Sequence, residues 1–251
     1  MLRGRLCDGV CDKATPFFLK KMSTPFSSSN VVGTIHSPGA LAAALKLRPG
    51  AVDFLELRVD AFAEAAACAR LEKSLPRLCA PLLLTVRHPL EGGAGRLGAA
   101  QRRALYLRFL PRASLVDVEL RSAETLQDVI AAARAQGAGV ILSHHDFHKT
   151  PSLARLQTLW RAARRAGADV FKVAAVADKA RDVAVLLDFL TARRADAPAL
   201  AVMGMGAFGK VSRLVFAQGG SVLNYGFLDR AQVPGQWPAE LLKQRLAELA
   251  Q

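Results

Sequence analysis

A lysine stands in unusual company in the run Asp-Val-Phe-Lys-Val-Ala-Ala-Val (169–176): apart from Asp169, every neighbour of Lys172 is apolar. Taking an ammonium out of water disfavours its charged form, and a neutral amine is a nucleophile towards carbonyl carbon. The bland alternative is a lysine that threads its stem along apolar surface and keeps its charge in water. Other chemistry-bearing residues also fall at the ends of apolar runs: Glu56, Arg58 and Asp60; Arg87, followed by Glu91; Ser143, His145 and Asp146; then Arg213. Spacing by two points Glu56, Arg58 and Asp60 to one side of a strand, and lets only one of His144 and His145 face a shared site. A strand ion pair for the first three, and a surface position for Arg87, are the structural alternatives. An amine, an imidazole for proton transfer and a guanidinium for an anionic group together define imine-forming lyase chemistry. The iminium draws electrons from the adjacent carbon, and the base removes its proton. These residues leave open whether the reaction is aldol cleavage or dehydration.

Eight elements of one kind must position them. Short apolar runs occur at 30–36, 51–60, 81–88, 114–120, 139–147, 169–176, 199–206 and 221–228, each followed by an amphipathic stretch of helical length. Ser37-Pro38 and Thr150-Pro151 read as helix caps followed by a proline at the first helical position. After Thr150, Leu153, Leu156, Trp160 and Ala163 recur at helical spacing, and Gly167 marks a stop. Alternating strands and helices imply a parallel sheet, and eight units predict an α/β fold, a single-domain (β/α)8 TIM barrel over residues 30–251. A doubly wound open sheet is the alternative. Residues 1–29 lack either periodicity, and charges interrupt any signal-peptide core, so they are expected to be a poorly ordered extension.

Gly204, Gly206 and Gly209 form a literal G-x-G-x-x-G. It follows the seventh strand rather than the first, and the eighth ends in Asn224-Tyr225 with no acid at its tip. A tight strand-to-helix turn therefore explains it better than a dinucleotide site. The net charge of +13 is spread along helix-like stretches, without a basic block or interleaved aromatics. This pattern fits solvated faces and steering of a small anion better than a nucleic-acid surface. No stretch is long and apolar enough to span a membrane. Cys7, Cys11, Cys68 and Cys79 lack zinc-site spacing, so no metal is expected, and scattered thiols suit a reducing compartment.

The motifs collectively resemble type I 3-dehydroquinate dehydratases over about residues 31–250. They are E-x-R-x-D at 56–60, R-x-x-x-E-G-G at 87–93, D-x-E at 117–119, S-x-H-D-F at 143–147 with T-P at 150–151, G-A-D-x-x-K at 167–172, S-R at 212–213 and P-G-Q at 234–236. The resemblance implies a cytoplasmic, cofactor-free and metal-free hydro-lyase of the shikimate pathway, commonly a homodimer, converting 3-dehydroquinate to 3-dehydroshikimate. It implies imine formation by Lys172, proton transfer by His145, and orientation of His145 by Glu91. It gives the substrate carboxylate to Arg213, the ring hydroxyls to Glu56 and Arg58, and support of Glu56 and the site wall to Arg87. Gln236 would close over the ring. The chain departs from the family pattern at Gln232, where a serine usually helps hold the carboxylate. Ala207-Phe208 replaces the more usual Lys-Glu, and Asn224-Tyr225 a Thr-Phe. A class I aldolase and a non-catalytic dehydroquinate sensor are the rival readings. No fused shikimate dehydrogenase is expected in the chain.

Overall fold

The computed structural model describes residues 29–192 and 198–250. Among them the chain forms eight strands: β1 (Asn30–Ile35), β2 (Phe54–Arg58), β3 (Leu82–Thr85), β4 (Leu115–Glu119), β5 (Gly139–Asp146), β6 (Val170–Val176), β7 (Ala199–Met205) and β8 (Leu223–Phe227). They alternate with helices α1 (Pro38–Ala44), α2 (Ala65–Ser74), α3 (Ala99–Phe109), α4 (Gln127–Ala135), α5 (Leu153–Arg165), α6 (Ala180–Thr191), α7 (Gly209–Gln218) and α8 (Ala239–Leu249). Parallel ladders run β7-β6-β5-β4-β3-β2-β1-β8. The remaining seam is bridged by the Val222 amide on the Leu200 carbonyl at 2.9 Å and by Ser221, whose hydroxyl accepts from the Val202 amide at 3.0 Å. The architecture is the expected (β/α)8 barrel. Residues 1–28 of the expected extension, with Cys7 and Cys11, lie outside the described residues.

The pleat sorts side chains between two cores. Phe171, Val173 and Ala175 of β6 pack outwards against the helices, whereas Val170 and Ala174 pack inside the barrel. Lys172 lies between those two in the alternation and so faces the interior. The same count turns Glu56 and Arg58 inwards after Phe54, Arg87 after Leu83, Asp117 and Glu119 after Leu115, and Ser143 and His145 after Ile141. On β2, β4 and β5 the inward row thus begins apolar and ends polar. An apolar floor is topped by a charged layer at the strands' carboxyl ends.

Two local expectations need correction. Ser37 does cap α1, its hydroxyl accepting from the Ala40 amide at 3.0 Å. Thr150, however, does not cap α5; Ser152 does, accepting from Arg155 at 3.3 Å. The Thr150 hydroxyl instead donates to the Val176 carbonyl, tying the loop to the end of β6. Asp60 also leaves the strand: β2 ends at Arg58, and Asp60 sits buried in a 3-10 turn. The glycine turn after β7 is confirmed as a turn. Gly206 has φ +86°, and a side chain on Gly209 would meet the Gly235 Cα at 2.7 Å. These glycines let the β7 turn pack against the loop that follows β8.

Candidate active site

A cavity of about 190 Å³ opens at the carboxyl ends of the strands. Its lining includes Glu56, Arg58, Arg87, Glu91, His145, Lys172, Arg213, Gln232 and Gln236, so the nine residues named from the sequence surround one space. Met203 and Met205 of β7 and Tyr225 of β8 supply an apolar wall.

Lys172 is 3% exposed. The sequence shows only apolar neighbours along the strand beyond Asp169, and the structure adds carboxylate partners that this run does not reveal. Its Nζ donates to Asp117 Oδ2 at 2.9 Å, lies 3.8 Å from Glu56 Oε1, and stands 3.9 Å from the centre of the Tyr225 ring. Neighbours in sequence are apolar because they pack outwards or below, while the partners come from strands across the barrel.

Asp117 is the functional residue that the sequence motifs contained without assigning it a role. Arg87 grips both of its oxygens, Nη2 to Oδ2 at 2.9 Å and Nη1 to Oδ1 at 3.3 Å. Ser143 donates to Oδ1 at 2.6 Å. Burial alone would raise the carboxyl's pKa, but the Arg87 and Lys172 charges hold it well below the usual carboxylate range. Arg87 also donates to Glu119 at 3.1 Å and to Ser143 at 2.8 Å, and lies 3.7 Å from Glu56. Arg102 of α3 pairs with the other Glu119 oxygen from outside the barrel. Arg87 is therefore the hub of a buried ion network rather than a surface residue, and it does more than support Glu56.

His145 and Glu91 form a separate pair. Glu91 Oε2 accepts the backbone N–H of His145 at 3.0 Å and lies 3.0 Å from Nδ1. Burial, then the nearby Glu119 charge, pushes the Glu91 carboxyl up to about 7. Burial, with the charges of Arg87 and Lys172, holds His145 well below the usual imidazole range. A neutral ring that gives its Nδ1–H to Glu91 presents the Nε2 lone pair to the cavity. His144 points elsewhere and is absent from the lining.

At the other end, Arg213 of α7 is 1% exposed and meets no carboxylate among the described residues. Its Nη1 donates to the carbonyls of Gly204, Gly209 and Gly235 at 2.8, 2.8 and 2.7 Å, and its Nε to that of Tyr225 at 3.2 Å. Burial without a counter-charge lowers its pKa to about 10. A guanidinium in this state has the chemistry to pair with an anion. Arg58 is clamped by Asp60 (Nε to Oδ1 3.0 Å, Nη2 to Oδ2 2.8 Å) and reaches Gln232 Oε1 at 3.2 Å. Gln236 accepts from the Gln232 amide at 2.6 Å, which folds the loop after β8 over the cavity.

This arrangement has relatives. Residues 34–251 match the family model described as type I 3-dehydroquinase. The chain belongs to the type I 3-dehydroquinase family. It is 34% identical over 221 residues to the 3-dehydroquinate dehydratase of Thermococcus gammatolerans, covering 87% of this chain and 98% of that one. Against the Klebsiella pneumoniae 3-dehydroquinate dehydratase it is 35% identical over 196 residues, 73% of this chain and 77% of the other. Among solved structures, it resembles the type I 3-dehydroquinate dehydratase of Clostridium difficile with covalently modified comenic acid. The TM-score is 0.79 at 27% identity, over 88% of this chain and 92% of that one. In this type I 3-dehydroquinase the cavity brings together a buried amine, an imidazole held neutral and a guanidinium without a carboxylate partner among the described residues.

Among the described residues no cluster of His, Cys, Asp or Glu is arranged to hold a metal ion, and Cys68 and Cys79 are free thiols. No helix among them is long and apolar enough to cross a membrane.

Proposed function

We propose that the chain converts 3-dehydroquinate to 3-dehydroshikimate through an imine on Lys172. Lys172 gives a proton to the His145 Nε2, and its Nζ adds to the C3 carbonyl carbon; the carbonyl π pair moves to oxygen, which takes a proton from the adduct nitrogen. His145 then gives its proton to that hydroxyl, the oxygen leaves as water, and the nitrogen lone pair closes a C=N bond that keeps one N–H. The resulting iminium acidifies C2, whose proton the His145 Nε2 removes. The C1–O bond then breaks as His145 returns that proton to the departing hydroxyl, and hydrolysis restores amine and ketone. Glu91 keeps the His145 tautomer correct by accepting its Nδ1–H.

Arg213 takes the substrate carboxylate, and Glu56 and Arg58 take ring hydroxyls. Arg87 holds the charged wall, while Gln232 and Gln236 close the lid and limit water. Asp117 anchors the amine before attack. The observation that carries this reading is the shared cavity of Lys172, His145 and an Arg213 left without a carboxylate. The family resemblance further supports a cytoplasmic homodimer in the shikimate pathway, with no cofactor, metal or nucleic-acid partner.

Borohydride treatment with 3-dehydroquinate, followed by peptide mass mapping, tests the imine. The adduct is expected on Lys172 and absent in Lys172→Ala. In His145→Ala turnover should collapse while some adduct still forms. Binding of dehydroquinate without formation of conjugated product would favour the sensor reading instead.

A further inference from the structure

Tyr225 carries a hydroxyl for which the mechanism above has no use. Its ring is part of the cavity wall beneath Lys172, and the residue is 3% exposed. The hydroxyl is buried and has no hydrogen-bond partner among the described residues. An unpartnered buried hydroxyl is unfavourable and uncommon. A phenylalanine would fill the same space without that penalty. Burial and the facing charges of Glu56 and Asp117 push the phenol well above its ordinary pKa, so it stays a neutral donor.

Glu56 and Asp117 are also the carboxylates that Lys172 faces, at 3.8 and 2.9 Å. In the free enzyme Asp117 is fully occupied: Oδ1 accepts from Ser143 and Arg87, and Oδ2 from Lys172 and Arg87. Glu56 Oε1 accepts from Thr85 at 2.9 Å. Catalysis disturbs this arrangement. A lysine ammonium has three N–H donors, whereas a protonated imine keeps one, and its nitrogen is bonded to substrate carbon. Two of the three lysine N–H donors that face Asp117 and the nearby Glu56 are therefore gone while the reaction is in progress, and a low-polarity interior makes such a loss costly.

We propose that Tyr225 is a positioning residue whose hydroxyl takes over from Lys172 as donor to the Asp117–Glu56 pair while the lysine is held in the imine. The neutral donor keeps both carboxylates in place, and away from the imine nitrogen, until hydrolysis returns the amine. The inference rests on the imine reading of this site.

Tyr225→Phe in the full chain tests it, because the substitution removes one oxygen and preserves the ring. The melting temperature of the free enzyme should stay the same or rise, since an unpartnered hydroxyl has been deleted. The single-turnover rate and kcat should fall about tenfold, the effect of one hydrogen bond to a charged group, with KM within about twofold. A wild-type kcat in Tyr225→Phe would overturn the proposal. So would a melting temperature lowered in step with activity, which would show a bond already made in the free enzyme. Borohydride trapping of the wild type separates the two readings. Without a Lys172 adduct the imine itself fails, whereas an adduct with a fully active Tyr225→Phe removes only the tyrosine's role.

Discussion

Arg87 and Arg213 are both buried arginines bordering one cavity, yet their surroundings are opposite. Arg87 faces Glu56, Asp117 and Glu119 on strands β2 and β4, and these neighbours drive its pKa well above the ordinary value despite burial. Arg213 meets only carbonyl oxygens, and burial brings its pKa down to about 10. A buried ion needs compensation. For Arg87 three carboxylates supply it; for Arg213 four carbonyl dipoles supply only part, and no carboxylate among the described residues supplies the rest. The β2–β5 side is therefore a charge frame completed within the protein around Lys172, and under the proposed function the β7–β8 side is a receptor completed on binding.

The sharpest way to break this contrast is to replace each arginine. Arg87→Met leaves at least Asp117 and Glu119 with too little positive charge in the interior. Removing one partner of a buried pair costs about 3–5 kcal/mol. Chemical denaturation should therefore show a large loss of stability, with turnover lost alongside it. Arg213→Lys should keep the fold but lose the guanidinium fork, raising KM about ten- to a hundredfold, the worth of one to two charge-assisted hydrogen bonds. If Arg213→Lys destabilises as much as Arg87→Met while KM is unchanged, the receptor side is a structural element and the contrast fails.

A smaller effect separates the proton-transfer pair from the frame. Glu91 titrates near 7 and His145 well below its usual range, so on descending through pH 7 the added proton goes to the carboxyl. A protonated Glu91 donates to Nδ1 and leaves the imidazole proton on Nε2, which blocks the base. The sign is thus a loss of kcat/KM as pH falls, about tenfold per unit below 7 for one proton. In Glu91→Gln that limb should disappear from the kcat/KM profile, with activity low throughout. An unchanged limb at 7 in this variant would assign the titration to another group.

The sequence rhythm made the barrel legible because every strand repeats the same inward and outward alternation. The same alternation carried Glu56, Arg58, Arg87, His145 and Lys172 to one cavity. Asp117 and Glu119 follow the same rule in Leu-Val-Asp-Val-Glu, and their inward parity with Leu115 was a usable signal. Their role was not visible, since it depends on ladder register. Asp117 pairs with Ile141 on β5, and Ser143 pairs with Lys172 on β6, so carboxylate and amine meet only after two ladders have formed. Asp60 and Thr150 depart from their local patterns for a related reason. A 3-10 turn at one, and a distant carbonyl acceptor at the other, overrode local patterns that were otherwise sound. The Arg58–Gln232 contact joins residues 174 positions apart, beyond the reach of any spacing argument.

The smallest effect is expected at Gln232, where the frame and the receptor touch. Its Oε1 accepts from Arg58, which Asp60 holds in place, while its Nε2 makes no hydrogen bond among the described residues. Gln232 thus spans the two regions with an acceptor on one side and a free donor on the other. Gln232→Ser removes the Arg58 link but brings a short hydroxyl to the carboxylate end. One neutral donor replaces another, so KM for 3-dehydroquinate should change by no more than about threefold, roughly 0.7 kcal/mol. A loss beyond about thirtyfold, restored by no gain in kcat, would mean that the lid is held by the Arg58 contact rather than by the Gln236 and Arg213 carbonyl bonds. The charge frame would then extend across the cavity mouth, and the two sides would have to be treated as one unit.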